Sequence, residues 1–313
     1  MPLDFLLLAV GGALLYFGAE WLVQGAAGLA LRLGVSPLLI GLTIVSYATS
    51  APELAVSVSA ALSGDSPLVL GNVFGSNIAN IGLILGLTAL LSPPHSDGSM
   101  AKRELLVLLA ATLAAPLLLI DGTLGRSDGI GLVVGSGLFT WLTIRWSRSR
   151  KVDLDEVPTG ETRGKAVLAG IGVLGLVVLI AGGEAFVRGA VGVAQALGVD
   201  ERVIGLTIVA FGTSVPELAA SIVAALRGHS DLAIGNVVGS NIFNLLLVLG
   251  MAAVVDPFSA NNAEMRIELV FLGVLTLGAL VVLSRKRTIT RIEGFLLTSS
   301  YFAFLGLLVL QLR

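Results

Sequence analysis

Long apolar runs separated by short polar breaks dominate the chain. Marked off by charge, Gly and Pro, they predict ten membrane-crossing helices. The spans are about 3–31, 37–62, 67–91, 103–120, 128–146, 166–196, 202–226, 231–254, 266–284 and 290–311. A helix of roughly 20 apolar residues crosses a bilayer. The opening MPLDFLLL lacks the basic stretch of a signal peptide and is expected to begin the first span. The one sizeable polar segment, Ser147–Lys165, divides residues 1–146 from 166–313, with 147–165 as a linker.

The two parts are copies. Residues 18–87 align on 182–251 without a gap, with 40 identities in 70 positions. That length marks a duplicated half, because solenoid periods are about 20–50 residues. Each half holds five spans. Five is odd, so the second half enters the membrane in the opposite sense, and a substrate site is expected near the midplane where the halves meet. The predicted fold is an all-α membrane protein of ten transmembrane helices, arranged as two inverted five-helix repeats.

Composition narrows the class. The 313 residues are 55% hydrophobic and 13% charged, against about 25% charged in soluble domains. An integral, multi-pass protein of the cell (inner or plasma) membrane follows, embedded in the lipid bilayer and without room for a soluble domain. A net charge of −2 offers no basic surface for nucleic acid. There is no Cys for disulfides or thiolate metal sites, and the two His, His95 and His229, fall in predicted loops. Of the 19 Lys and Arg, 14 fall on one side, from Arg32 and Lys102 to Arg287 and Arg291. Four fall on the other (Arg126, Arg202, Arg266 and Arg313), and Arg188 lies inside a span. The excess predicts a cytoplasmic 147–165 loop and both termini outside.

Two motifs carry the chemistry. Gly41–Glu53, GLTIVSYATSAPE, recurs 164 residues later as Gly205–Glu217, GLTIVAFGTSVPE. Each sets one carboxylate, Glu53 or Glu217, in an apolar run. A charge at the bilayer centre costs at least about 2.5–3.5 kcal/mol. Just before each lie two hydroxyls and a proline: Thr49, Ser50 and Pro52, and Thr213, Ser214 and Pro216. Proline is expected to break the helix there and free carbonyls around 46–49 and 210–213. Such backbone is tolerated at membrane depth only where it is buried in protein or lines a cavity. Hydroxyls, carbonyls and a carboxylate form a cluster of hard oxygens suited to Ca²⁺ or Na⁺. The bland alternative is a protonated Glu satisfied by a neighbouring helix.

The second motif is GNVFGSNIAN, Gly71–Asn80, copied as GNVVGSNIFN, Gly235–Asn244. Ser76 and Asn80 share one helical face, as do Ser240 and Asn244, while Asn77 and Asn241 point elsewhere. Gly71, Gly75, Gly235 and Gly239 are expected to let helices approach closely. Ser and Asn alone would also serve as interhelical glue.

Together the motifs resemble the paired α-repeats of the cation/Ca²⁺ exchanger superfamily, and most of all its prokaryotic sodium/calcium exchangers. The resemblance implies a ten-helix inverted-repeat fold with four central ion sites. The implied ligands are Thr49, Ser50, Glu53, Ser76 and Asn80, their mates Thr213, Ser214, Glu217, Ser240 and Asn244, and the carbonyls of Ser46 and Ala210. It also implies an antiporter that exchanges Na⁺ for Ca²⁺ by alternating access, with these ions as substrates and no cofactor. Some relatives carry Asp where Asn80 or Asn244 stands. Here two carboxylates supply the fixed charge. One Ca²⁺ neutralises them, whereas three Na⁺ leave +1, so the exchange implied by the resemblance would be electrogenic.

Other readings stay open at this level. The coupling ion could be H⁺, or K⁺ could be added, and the same carboxylates could line a cation channel. An enzyme is not expected, since no Ser–His or Cys–His pair and no Asp dyad at membrane depth is available. Glu20 and Glu184 form another repeat pair, with Arg188 four residues after Glu184 and Gln24 in its place in the first half. They read either as gating carboxylates or as structural polar contacts. Glycines recur in spans 1 and 6, the two helices that the resemblance implies slide across the bundle, and tight packing explains them equally well. The linker, with Lys151, Asp153, Asp155, Glu156 and Arg163, reads as a solvated connector.

Overall fold

The apolar runs fold as helices. In chain order they are α1 (Pro2–Leu33), α2 (Pro37–Thr49), α3 (Ala51–Leu62), α4 (Ser66–Leu91), α5 (Ala101–Leu118), α6 (Arg126–Arg148), α7 (Lys165–Ala196), α8 (Val215–Leu226), α9 (Ser230–Val255), α10 (Arg266–Leu283) and α11 (Arg291–Gln311). A short turn, Ala210–Gly212, precedes α8. Four two-residue strands lie among the described residues: β1 (His95–Ser96), β2 (Thr123–Leu124), β3 (Phe258–Ser259) and β4 (Arg287–Thr288). The computed structural model describes residues 1–96, 101–148, 163–199, 204, 207–208, 210–259, 265–285 and 287–311. Outside the described residues lie most of the linker (149–162, with Arg150, Lys151, Asp153, Asp155 and Glu156), Gly205 at the head of the second motif copy, and Arg202, Lys286 and Arg313.

Seven described helices are long and apolar enough to cross a membrane: α1, α4, α6, α7, α9, α10 and α11. Counted as one span bent by 44°, α2 and α3 make an eighth. The other two expected spans fall short for plain reasons. α5 opens on Lys102, Arg103 and Glu104, and α8 has 12 residues, with much of the stretch before it outside the described residues.

Local sequence sets the helix ends. Gly34 closes α1 in the left-handed region at φ 67°, where its N–H and that of Val35 bond the carbonyls of Leu31 and Ala30. Ser36 then caps α2 by accepting from the Leu39 N–H, ahead of Pro37 at the first helical position. Asp65 caps α4 in the same way, with Pro67 in its first turn.

Helix association inside a bilayer rests on close packing, because lipid is as apolar as a side chain. α1 and α7 show how it is achieved. They run antiparallel, in contact along their length, through glycines seven residues apart: Gly11, Gly18 and Gly25 on α1, Gly175, Gly182 and Gly189 on α7. A Cβ at Gly18 would stand 2.5 Å from the backbone nitrogen of Leu179, and one at Gly182 2.7 Å from that of Leu15. The motif helices α4 and α9 lie at the centre. Their apolar windows are 83% buried, against 28–33% for the other five candidate spans. Phe74, Ile78, Ile242 and Phe243 are buried there, while Leu113, Val134, Val173 and Val274 stay exposed on outer helices.

The order of the described elements of residues 2–148 recurs over 165–311, except that the segment matching α2 is described only at 204, 207–208 and 210–212. The halves also clasp each other crosswise. β1 pairs antiparallel with β4, and β2 with β3. Thr112 on α5 meets its copy Thr276 on α10 at 3.3 Å.

Glycine spacing therefore sets the α1–α7 distance. Gly18→Ala and Gly182→Ala each cost stability by about 1–3 kcal/mol, read as a lower melting temperature of the protein in detergent. Gly12→Ala, whose Cβ meets nothing within 4 Å among the described residues, leaves the melting temperature unchanged or raised.

Candidate functional site

The helix break falls where the proline requires it. Thr49 ends α2, Ser50 forms the corner at φ −83° and ψ 6°, and Ala51 starts α3. Pro52 thus occupies the first turn of the new helix, where a missing N–H goes unneeded. Fewer carbonyls are freed than the sequence predicts. The Ser46 carbonyl still accepts from the Ser50 N–H at 2.9 Å, because the helical ladder runs intact up to the corner. The carbonyl that loses its amide partner to Pro52 is that of Ala48. In the second half the turn is tighter. Ser214 N–H bonds the Phe211 carbonyl at 3.0 Å.

The two breaks interlock. Ser50 donates to Glu217 Oε1 at 3.2 Å, and Ser214 donates to Glu53 Oε1 at 3.1 Å. Each carboxylate is thus held by the hydroxyl of the opposite half, and both Glu are fully buried. Thr49 donates to Asn236 at 3.2 Å and Thr213 to Asn72 at 3.4 Å, again across the halves. The Ser46 hydroxyl instead turns back to the Thr43 carbonyl.

Ser76, Asn80, Ser240 and Asn244 are buried on α4 and α9, and no hydrogen bond joins them to the Glu pair. Asn80 opens a π-helical stretch, Asn80–Leu85, that packs against α8, which carries Glu217. Asn244 opens another, Asn244–Val248, against α3, which carries Glu53. Such stretches are frequent at functional sites. Gly235 and Gly239 do permit close approach. A Cβ on Gly239 would meet Ser46 Oγ at 2.6 Å, and one on Gly235 the Leu38 carbonyl at 2.7 Å. Among the described residues nothing comes within 4 Å at Gly71 or Gly75.

What the cluster leaves unpaired defines its chemistry. Glu53 Oε2, Glu217 Oε2, Ser76 Oγ, Ser240 Oγ and both amide atoms of Asn80 and Asn244 are buried without a partner. Each such atom costs about 1–3 kcal/mol. Six of these atoms are oxygens, on helices from both halves. No group of three His, Cys, Asp or Glu gathers among the described residues, so a cation held here would take most of its ligands from neutral oxygens. That donor set suits a hard cation such as Ca²⁺, which takes 6–8 oxygens, and not a soft metal.

A cavity of about 490 Å³ borders the breaks on the α7 side, lined by Pro52 and Val56 of α3, Glu184 and Arg188 of α7, and Thr213 and Pro216. The equivalent α1 surface is closed. Leu15, Ala19 and Val23 join Val45, Val215 and Val223 in a buried apolar cluster. Glu184 bonds Arg188 within its own helix. Glu20 instead reaches the end of α8, where both its oxygens engage Arg227, at 2.8 and 2.9 Å. The sequence reading did not foresee that partner.

It also passed over Asn72, Asn236, Ser57 and Ser221. Asn72 Nδ2 donates to the Glu53 carbonyl at 3.1 Å and to Ser57 Oγ at 2.8 Å. Asn236 does the same to Glu217 at 3.4 Å and to Ser221 at 3.0 Å. All four are identical between the copies, a signal that could have found them.

Comparison with known proteins identifies the family. The family model for the sodium/calcium exchanger protein matches residues 3–145 and 167–310. The putative antiporter CaxA of Alkalimonas amylolytica is 40% identical over 311 residues, covering 96% of each chain. The sodium/calcium exchanger MaX1 of Methanosarcina acetivorans is 32% identical over 346 residues, covering 98% of this chain and 99% of its own. A solved structure of the sodium-calcium exchanger NCX_Mj, soaked with Na⁺ and Sr²⁺, superposes with a TM-score of 0.84 at 31% identity, over 97% of this chain and 99% of that one. With both halves matched and its carboxylates interlocked between them, the chain belongs to the sodium/calcium exchanger protein family.

Proposed function

We propose that this protein is a secondary antiporter that exchanges Na⁺ for Ca²⁺ at one midplane site, opened to each side in turn. The observation that carries the reading is the pair of fully buried carboxylates, each with one oxygen held by the opposite half and one unpaired. A dehydrated cation satisfies those oxygens and cancels their charge. Ligands are the side chains of Thr49, Ser50, Glu53, Ser76, Asn80, Thr213, Ser214, Glu217, Ser240 and Asn244, with the Ser46 and Ala210 carbonyls. One Ca²⁺ makes the Glu pair neutral, the form least costly in low dielectric. Three Na⁺ leave one positive charge, so exchange of three for one is electrogenic and feels the membrane potential by about 2.3 kcal/mol per charge per 100 mV.

The architecture in this reading is ten spans in two inverted repeats, residues 1–146 and 166–313, joined by a cytoplasmic 147–165 linker, with both termini outside. Contacts among the basic residues support a common side. Arg32 donates to the Arg163 carbonyl. Arg103 stacks on Trp146 and Arg145 on Trp141, the cation–π pairing of an interfacial belt. The cavity at Glu184 then opens outward, and the apolar cluster beside Glu20 seals the inner side.

Reconstituted protein loaded with Na⁺ takes up ⁴⁵Ca²⁺, and Glu53→Gln and Glu217→Gln each abolish uptake. Persistent transport in either variant would sink the assignment. Replacing the Na⁺ gradient by choline at fixed pH stops uptake, whereas survival on an H⁺ gradient, or a requirement for K⁺, would move the protein to the alternative coupling. An inside-positive potential speeds Na⁺-driven Ca²⁺ uptake, and an unchanged rate under voltage clamp would refute electrogenicity. Because the chain has no Cys, Thr159→Cys gives a single thiol in the linker. An impermeant maleimide labels it only in inverted membranes.

A further inference from the structure

Three positions on α4, Asn72, Ser76 and Asn80, recur every four residues and so share a face, as do Asn236, Ser240 and Asn244 on α9. Their chemistry differs along the stripe. Ser76 and Asn80 carry buried atoms without partners. Asn72 has its amide engaged on both sides. Nδ2 donates to the Glu53 carbonyl and to Ser57, and Oδ1 accepts from Thr213 of the other half. A carbonyl only accepts, so the atom facing it is the nitrogen, which settles the amide orientation. Asn236 repeats the pattern with Glu217, Ser221 and Thr49, whose hydroxyl lies nearer to Asn236 Oδ1 (3.2 Å) than to its other acceptor, the Ser46 carbonyl (3.5 Å).

Resting on the exchange reading above, we propose that Asn72 and Asn236 are positioning residues that aim the threonine hydroxyl of the opposite half at the ion and do not bind it themselves. The reason is proton economy. A hydroxyl has one hydrogen and two lone pairs. When Thr213 gives its hydrogen to Asn72, only lone pairs remain to face the site, and Thr213 becomes an obligate acceptor. The same amide grips the backbone of Glu53, whose carboxylate is held by Ser214, the residue after Thr213. One side chain therefore fixes a hydroxyl from one half relative to a carboxylate from the other. Asp could not substitute, since an ionised carboxylate has no hydrogen for the Glu53 carbonyl.

The test is a crossed set of double mutants in the purified chain, read by the Ca²⁺ concentration that gives half the maximal rise in melting temperature. Asn72→Leu and Thr213→Val each raise that concentration about tenfold, the worth of one hydrogen bond to an ion ligand. Combined, they raise it no more than the worse single change. Asn72→Leu with Thr49→Val multiplies to about a hundredfold, as independent sites do. Asn236→Leu shows the mirror pattern, coupled to Thr49 and independent of Thr213. Thr213→Ser, which keeps the hydroxyl, restores near wild-type affinity. Where Asn72→Leu does not fold, Asn72→Ser, too short to reach Thr213, replaces it in the same cycle. Multiplicative effects in the crossed pairs, or coupling of Asn72 to Thr49 as strong as to Thr213, overturn the positioning role. Wild-type protein that binds Ca²⁺ but shows no Na⁺-driven uptake overturns the exchange reading and leaves the crossed coupling to stand or fall by itself.

Discussion

Two carboxylates without water are the constraint on which the structure depends. Glu53 and Glu217 are wholly buried in a protein whose outer helices face lipid. Pro52 and Pro216 make the local backbone a fresh helix start, and among the described residues no side-chain hydroxyl of its own half bonds either carboxylate. Each is instead met by a serine from the other half. The halves cannot separate at this depth without stripping both carboxylates of a donor. The site and the interface between the repeats are therefore one object.

The rest of the fold brings backbones close enough for that exchange of hydrogen bonds. α1 and α7 touch through glycines at every second turn, and Gly235 and Gly239 seat α2 on α9. Where water would drive apolar surfaces together, lipid does not. Small residues at contacts and large ones on the rim do that work here. The duplicated chain then supplies several contacts twice, strand to strand at the two ends and amide to hydroxyl beside the carboxylates, and joins Thr112 to its own copy Thr276 between α5 and α10.

Much of this was legible in the sequence. An isolated Glu after Thr-Ser-x-Pro in an apolar run, found twice, located the charged centre, and the proline located the break to within two residues. The 164-residue offset showed which positions are equivalent. It could not show which of them meet, since Ser50 beside Glu53 and Ser50 beside Glu217 give the same repeat. The crossed pairing follows only from the way the helices pack. The π-helical stretches at Asn80 and Asn244 were hidden as well, because one extra residue per turn leaves no period to read. Asn72 and Asn236 were passed over because an amide beside a glycine reads as helix glue until its three partners are known. Arg227 sits in a loop by sequence, and only the fold carries it to Glu20.

That last contact has no counterpart. The position equivalent to Arg227 in the first half is Ser63, and the helix that carries Glu184 supplies Arg188 from within. A duplicated protein whose halves traded shapes would form a bidentate ion pair at one end and none at the other. Even an exposed pair of this kind, weak as it is, weights one of the two shapes over the other. Gene duplication gave the two ends the same blueprint, and a single arginine lifts the degeneracy between them.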